Sequence, residues 1–263
     1  MIESPAQFLQ LLFSRKTIRK FRVESVADQV VSRIVEAGQR APSACNLQTY
    51  TVVWVKDAEQ KERVWNACGV PKPIRDAPVA LVICADVRRL AKALDYLHYD
   101  HCLKHGYGYS LKLLSIIDAS LVAENMTIAA GCYGLGSVFI GSALANKVVI
   151  EVLGLPKGVL PLMLLCIGYP DEKPPTRPRL PLSTVMHVDN YRDPSKEEIE
   201  LFLKHMDSEL EKEGYYRRYA RRKQSYFYTH HIKGKTALAL FEQNESRIVA
   251  AMKKTGFLPN ESL

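Results

Sequence analysis

Three stretches of this chain limit its fold more than anything else in it. Ala77 to Ala85 (APVALVICA) and Leu160 to Tyr169 (LPLMLLCIGY) are continuous apolar runs of strand length, and Tyr50 to Lys56 (YTVVWVK) is rich in β-branched and aromatic residues. A strand that alternates polar and apolar side chains has one wet face, whereas a strand that is apolar throughout must be covered on both. The cover comes from helices. Residues 4 to 13, 26 to 40, 58 to 68, 91 to 105, 110 to 133 and 146 to 153 read as helical; in the second of these Val26, Val30, Ile34 and Ala37 share a face, and Ala41-Pro42-Ser43 stops it. Val138 and Ile140 fall in a glycine-bounded turn region. Helices between buried strands predict an α+β fold, an α/β sandwich with both faces of the sheet covered. The longest apolar stretch, Leu111 to Tyr133, contains Asp118, Glu124 and Asn125, which would be costly in lipid, so it is expected to be a buried helix and no membrane association is expected.

With 263 residues the chain can bury a large core without disulfides. Its six cysteines (Cys45, Cys68, Cys84, Cys102, Cys132, Cys166) stand singly, without a CxxC pair, which argues against a zinc ribbon or a secreted scaffold and for a cytoplasmic location. The N-terminal stretch has no basic region ahead of its short apolar segment, so a secretory signal is not expected. The formal net charge is +8, and it is concentrated. Gly214 to Lys235 holds seven Lys/Arg and no carboxylate, while Ser14 to Val23 holds Arg15, Lys16, Arg19, Lys20 and Arg22, again with no acid. Local clusters of this kind point to discrete anionic ligands such as phosphates more than to a polyanion.

Four polar constellations carry chemistry. Directly after the first helix, Arg15, Thr17 and Arg19 can converge on an anion, with paired guanidinium donors and a hydroxyl. Between a helix and a strand, Pro42-Ser43-Ala44-Cys45-Asn46-Leu47-Gln48 offers Ser43, Asn46 and Gln48 to the edge of a heteroaromatic ring. Gly131 to Gly141 contains a GxG, but after a helix instead of a strand, which excludes a Rossmann dinucleotide loop; its glycines let the amides of Ile140 and Gly141 approach a flat ligand. Arg177-Pro178-Arg179-Leu180-Pro181 follows Gly168-Tyr169-Pro170, and its prolines hold the strip extended, with Arg177 and Arg179 on one side. No Ser/His/Asp or HExxH arrangement is present, as expected where a cofactor carries the reaction.

In this order and spacing, over about residues 8 to 192, the four resemble the FMN-dependent nitroreductase family, in particular its branch of NADPH-linked flavin reductases and oxygen-insensitive nitroreductases. The matching segments are the RxTxR-type opening at Arg15 to Arg19, PSxxNxQ at Pro42 to Gln48, IDASLVAENMTIAAGCYGLGSVFIG at Ile117 to Gly141, and GYP followed by RPRLPL up to Leu182. The resemblance implies a nitroreductase-like fold, with a central, mainly antiparallel sheet flanked by helices, in an intertwined homodimer with FMN at its interface. It places Arg15, Lys16, Thr17, Arg19, Arg177 and Arg179 around the FMN phosphate and ribityl chain, Pro42 and Ser43 along the flavin, and Asn46 and Gln48 near its polar edge. Ile140 and Gly141 would offer main-chain amides to the ring. Some relatives carry Glu where this chain has Gly141, so only a main-chain role carries over. The activity implied is a two-electron ping-pong transfer from NADPH or NADH to a nitroaromatic, a quinone or a flavin. Flavin fragmentation and reductive dehalogenation are alternatives on the same fold.

Residues 1–192 are expected to form the FMN-binding core and 193–263 a helical excursion packed on the core or on the partner subunit. Within the excursion, helices are expected over 195 to 213 and 235 to 255. The intervening basic-aromatic segment interleaves Arg217, Arg218, Arg221 and Arg222 with tyrosines. By the same resemblance these arginines are candidates for the NADPH 2′-phosphate, against a solvated basic face or a nucleic-acid patch over 214–235; nucleic acid is the least expected. His98, His101 and His105 share a face of the expected 91 to 105 helix, but nothing supplies a second ligand cluster, so no metal is expected.

Overall fold

The computed structural model describes residues 5–214, 227–236 and 238–259. By contacts the chain forms two compact units, Met1–Glu172 with Glu245–Leu263 and Lys173–Asn244. The division expected after residue 192 is one of role, this one of contact.

The first unit is built on four antiparallel strands in the order β1-β2-β4-β3: β1 (Tyr50–Trp54), β2 (Val79–Asp86), β3 (Gly136–Ile140) and β4 (Val159–Gly168). The two apolar runs are the two central strands, and β2 is buried at every residue. On one side, Val79, Leu81, Ile83 and Ala85 meet α2 (Asp28–Gly38) and the long α6 (Tyr109–Cys132) through Val31, Ile34, Val122 and Met126. On the other, Ala80, Val82 and Cys84 meet Val64 of α3 (Ala58–Ala67), Ile74 of α4 (Lys72–Arg75) and Val149 of α7 (Lys147–Val152). Each fully buried Leu or Ile contributes about 1.5–3 kcal/mol, so the sheet is held by both layers. All six cysteines are free, and burial pushes the thiols of Cys84 and Cys166 up to about 12.

Two expectations are corrected. The helix expected over 91 to 105 is α5 (Arg88–Tyr96), which stops where His98 turns left-handed (φ 55°) and the amides of His98 and Tyr99 close back on the carbonyls of Asp95 and Leu94. His98, His101 and His105 therefore share no helical face; His101 pairs with Asp95 at 3.1 Å and His105 with Asp100 at 2.7 Å. The turn region at Val138 and Ile140 is strand β3. The same kind of closure ends α6, with Gly134 at φ 70° and the Leu135 amide on the Ala130 carbonyl, so the chain is already free to extend at Gly136. The four residues between Gly136 and Gly141 are too few to show a strand period in sequence.

The second unit contains α8 (Leu182–Val185), α9 (Lys196–Glu213) and α10 (Tyr228–Lys235). A capping box of Ser195 and Glu198 opens α9, and Arg192 grips Glu198 with two bonds of 2.7 and 2.9 Å, bringing its carboxyl down to about 2. Thr229 of α10 donates to Asp207 of α9 from both its amide and its hydroxyl. Helix α11 (Leu238–Lys254) takes the place expected for 235 to 255, and its later part returns to the first unit, where Ala251 and the following Phe257 join the core.

Candidate functional site

The basic run after α1 (Pro5–Ser14) is an extended strip laid against the sheet. Thr17 pairs with Ser137 and Phe21 with Pro170, and the amides of Ile18 and Arg22 donate to the carbonyls of Ser137 and Tyr169 at 3.0 and 2.9 Å. Buried Ile18 and Phe21 anchor the strip, because they point inward while their neighbours point out. Glycine makes the close approach possible. A Cβ on Gly136 would lie 2.5 Å from Ile18 Cγ1, and one on Gly168 would lie 2.6 Å from Pro78 Cδ. Arg15, Lys16 and Thr17 are half-buried and Arg19 is exposed; Arg15 and Lys16 border a cleft of about 230 Å³ shared with Ser137 and Gly134. Two acids adjoin the strip. Glu172 accepts the amides of Arg19 and Lys20, and Asp171 pairs with the Lys20 ammonium, which holds Lys20 above and Asp171 below their ordinary values.

The strip runs parallel to β3 at Thr17, and β3 ends at Ile140, so basic side chains and the Ile140–Gly141 backbone lie along one edge of the sheet. Ile140 is half-buried and Gly141 exposed, and a Cβ on Gly141 would meet no atom within 4 Å. An open backbone at this point suits a flat ligand lying against it.

The loop from Pro42 to Gln48 precedes the opposite edge strand. Cys45, Asn46 and Gln48 all have positive φ (49°, 55° and 53°), although none is glycine. Such a loop persists only where its surroundings enforce it. Asp118 of α6, 2% exposed, accepts the Ala44 amide at 3.0 Å and the Thr49 hydroxyl at 2.9 Å. Arg89 donates to the carbonyls of Gln48 and Tyr50, and Asp86 accepts the Arg89 amide at 3.1 Å. Ser43 is half-buried and its hydroxyl accepts the Gln48 amide, while Pro42, Asn46 and Gln48 are exposed.

Arg177 and Arg179 belong to the second unit. One guanidinium nitrogen of Arg177 donates to both carboxylate oxygens of Glu213 at 3.0 and 3.1 Å, and Arg179 donates to the carbonyls of Arg177 and Pro178. Arg217, Arg218, Arg221 and Arg222 lie outside the described residues. The structure thus brings Arg15, Lys16, Thr17 and Arg19 to the same sheet edge as Ile140 and Gly141. It leaves the 42–48 loop on the far side of β2 and β4, three strand spacings or about 14 Å across the sheet. Sequence reasoning missed Asp118, Arg89 and Glu172 as supports. Asp118 carried a signal, a carboxylate inside an apolar helix; the other two carried none.

A four-stranded antiparallel sheet covered on both faces, with a phosphate-sized basic strip along one edge and a strained polar loop at the other, is the frame of a cofactor-binding α+β protein. The sequence profile of the nitroreductase family matches residues 12–169, and the chain belongs to that family. It is 38% identical over 186 residues to an FMN reductase [NAD(P)H] of Bacillus subtilis, covering 70% of this chain and 74% of that protein. It is 33% identical over 186 residues to an oxygen-insensitive NADPH nitroreductase of Salmonella typhimurium, covering 70% and 74%. Among solved structures, the NADPH:FMN oxidoreductase of Vibrio harveyi complexed with NAD+ superimposes with a TM-score of 0.75 at 27% identity, covering 95% of this chain and 97% of that one.

Proposed function

We propose that the protein is an FMN-dependent NAD(P)H oxidoreductase that passes two electrons, in a ping-pong cycle, from NADPH or NADH to a nitroaromatic, a quinone or a flavin. The observation that carries this is the basic strip fastened to β3, which sets Arg15, Lys16, Thr17 and Arg19 on the same edge as the open Ile140–Gly141 backbone. FMN, when bound, supplies the hydride chemistry. The protein supplies position and charge. Arg15, Lys16 and Arg19 offset the phosphate charge and Thr17 adds a hydroxyl; the amides of Ile140 and Gly141 face the ring as fixed donors; Pro42, Ser43, Asn46 and Gln48 bound it on another side. Arg177 and Arg179 are further candidates for the phosphate, and Arg177 must release Glu213 to take it. Arg217, Arg218, Arg221 and Arg222 take the NADPH 2′-phosphate.

A flat cofactor that touches both the strip and the 42–48 loop draws them from two copies of the chain, since one copy holds them at opposite sheet edges. A homodimer also accounts for the outer face of α6. Leu113, Ile117 and Leu121 stand one turn apart on it and are 63%, 52% and 40% exposed, and Phe13 at the end of α1 is 71% exposed. Ile117→Asp is expected to turn a dimer into a monomer in sedimentation velocity and to lower FMN retention with it. A dimeric I117D protein would remove this face from the interface. The free cysteines agree with a cytoplasmic protein.

The purified chain should show a flavin absorbance spectrum and give parallel-line kinetics when NADPH or NADH is varied against a nitroaromatic, a quinone or free FMN. A colourless protein that takes up no added FMN would sink the proposal.

A further inference from the structure

A second cleft of about 290 Å³ opens in the first unit where the start of α5, the turns before α6 and the bend ahead of β4 meet. Five cations line it: Arg88, Lys92, Lys104, Lys112 and Lys157. The carboxylate among its lining residues is Asp95, and that group already accepts from the buried His101 ring, whose other nitrogen accepts the Lys104 amide at 3.2 Å. Among the described residues Arg88, Lys92, Lys112 and Lys157 have no ion-pair partner, and Lys104 reaches Asp100 only at 3.9 Å. Lys112 is the telling member. It is 7% exposed, its ammonium donates to the Gly106 carbonyl at 3.3 Å and lies 4.6 Å from the Tyr109 ring, and burial, with Lys157 adding to it, holds its pKa below the ordinary value. Burying an ammonium without a carboxylate is unfavourable and is usually avoided.

The bend is built to bring these groups close. Gly158 (φ 92°) packs against the Arg88 backbone, where a Cβ would lie 3.0 Å from Arg88 Cβ, and Gly256 (φ 77°) leaves room for the Lys157 stem. Arg88 donates to the Lys157 carbonyl at 3.2 Å, which ties its guanidinium to the backbone of the second cation. Concentrated positive charge of this kind, in a concave and partly apolar site, is the electrostatic complement of a compact polyanion.

We infer that this cleft binds a small phosphate-bearing ligand, with the phosphate held by Lys112, Lys157 and Lys92 and the remainder along Ala91 and Leu103. Its volume lies at the small end of the range of ligand pockets, which fits inorganic phosphate, pyrophosphate or a phosphomonoester of a few carbons rather than an enclosed dinucleotide. The inference does not depend on the flavin proposal. The site uses none of the residues assigned to FMN.

The test is calorimetric titration of the full chain, equilibrated with FMN, with orthophosphate, pyrophosphate and glycerol phosphate at low ionic strength. Saturable binding is expected, weakened at least tenfold in K92Q/K157Q, two exposed positions whose change leaves the core intact. In K112M the binding should be lost while the fold is kept, because an apolar side chain of similar length replaces a buried charge. Tighter binding of glycerol phosphate than of orthophosphate would assign an organic ligand, and the reverse an inorganic one. No saturable binding, or binding that K92Q/K157Q leaves unchanged, would overturn the inference.

Discussion

Asp118→Ala will cost the protein about 3 kcal/mol of stability and weaken FMN binding at least tenfold, although Asp118 itself is assigned no contact with the cofactor. Its carboxylate takes two hydrogen bonds in a buried place, from the Ala44 amide and the Thr49 hydroxyl. Hydrogen bonds to a charged acceptor are worth about 1.5–3 kcal/mol each, and alanine would leave two donors unsatisfied. The loop they hold contains Cys45, Asn46 and Gln48 in left-handed conformations, so once released it will relax out of the shape that presents Ser43 and Asn46. Asp118→Asn should lose about half as much, because its amide oxygen can still accept from Ala44 and the Thr49 hydroxyl can rotate to accept in turn. Denaturant midpoints and flavin-fluorescence titration would measure both effects. A D118A protein with wild-type flavin affinity would mean that Arg89 holds the loop alone.

Gly136→Ala should lower stability and cofactor binding together by a second route. The new methyl group would meet Ile18 Cγ1 at 2.5 Å and Ile18 Cβ at 2.8 Å, and Ile18 is β-branched and 4% exposed, so it has little freedom to turn aside. The strip must instead lift from β3, at a cost of about 1–3 kcal/mol. Because the strip carries Arg15, Lys16, Thr17 and Arg19, FMN affinity should fall at least tenfold. Ile18→Ala in the same chain removes the 2.5 Å Cγ1 contact but keeps the Cβ at 2.8 Å, so the double variant should recover part of the lost affinity relative to the sum of the two single changes. Additive losses would show that the strip does not pivot on this contact.

Much of this was legible in the sequence, for a physical reason. The two central strands announce themselves because burial on both faces removes the polar residues that would interrupt them, as in Ala77 to Ala85. The end of α5 and strand β3 were not legible: α5 closes on left-handed His98, a residue that does not signal such a turn, and β3 is too short to show a strand period. At the site, charged and glycine residues marked the strip and the open backbone at Gly141. Their supports were hidden. Arg89 and Glu172 act on loops distant in sequence through hydrogen bonds to backbone atoms, and nothing in residue type or spacing records such a bond. The pairing of Arg177 with Glu213 spans 36 positions and is equally invisible.

The left-handed loop also separates two goals that are often treated as one. Each non-glycine residue held there costs on the order of 1–3 kcal/mol, and Cys45, Asn46 and Gln48 bear that cost together. Glycine at Cys45 would relieve it locally and would raise the melting temperature wherever the loop's shape is not otherwise needed, while widening the set of shapes the loop can take. Where the loop bounds the cofactor as proposed, heat resistance and cofactor affinity pull the residues between Ser43 and Gln48 in opposite directions.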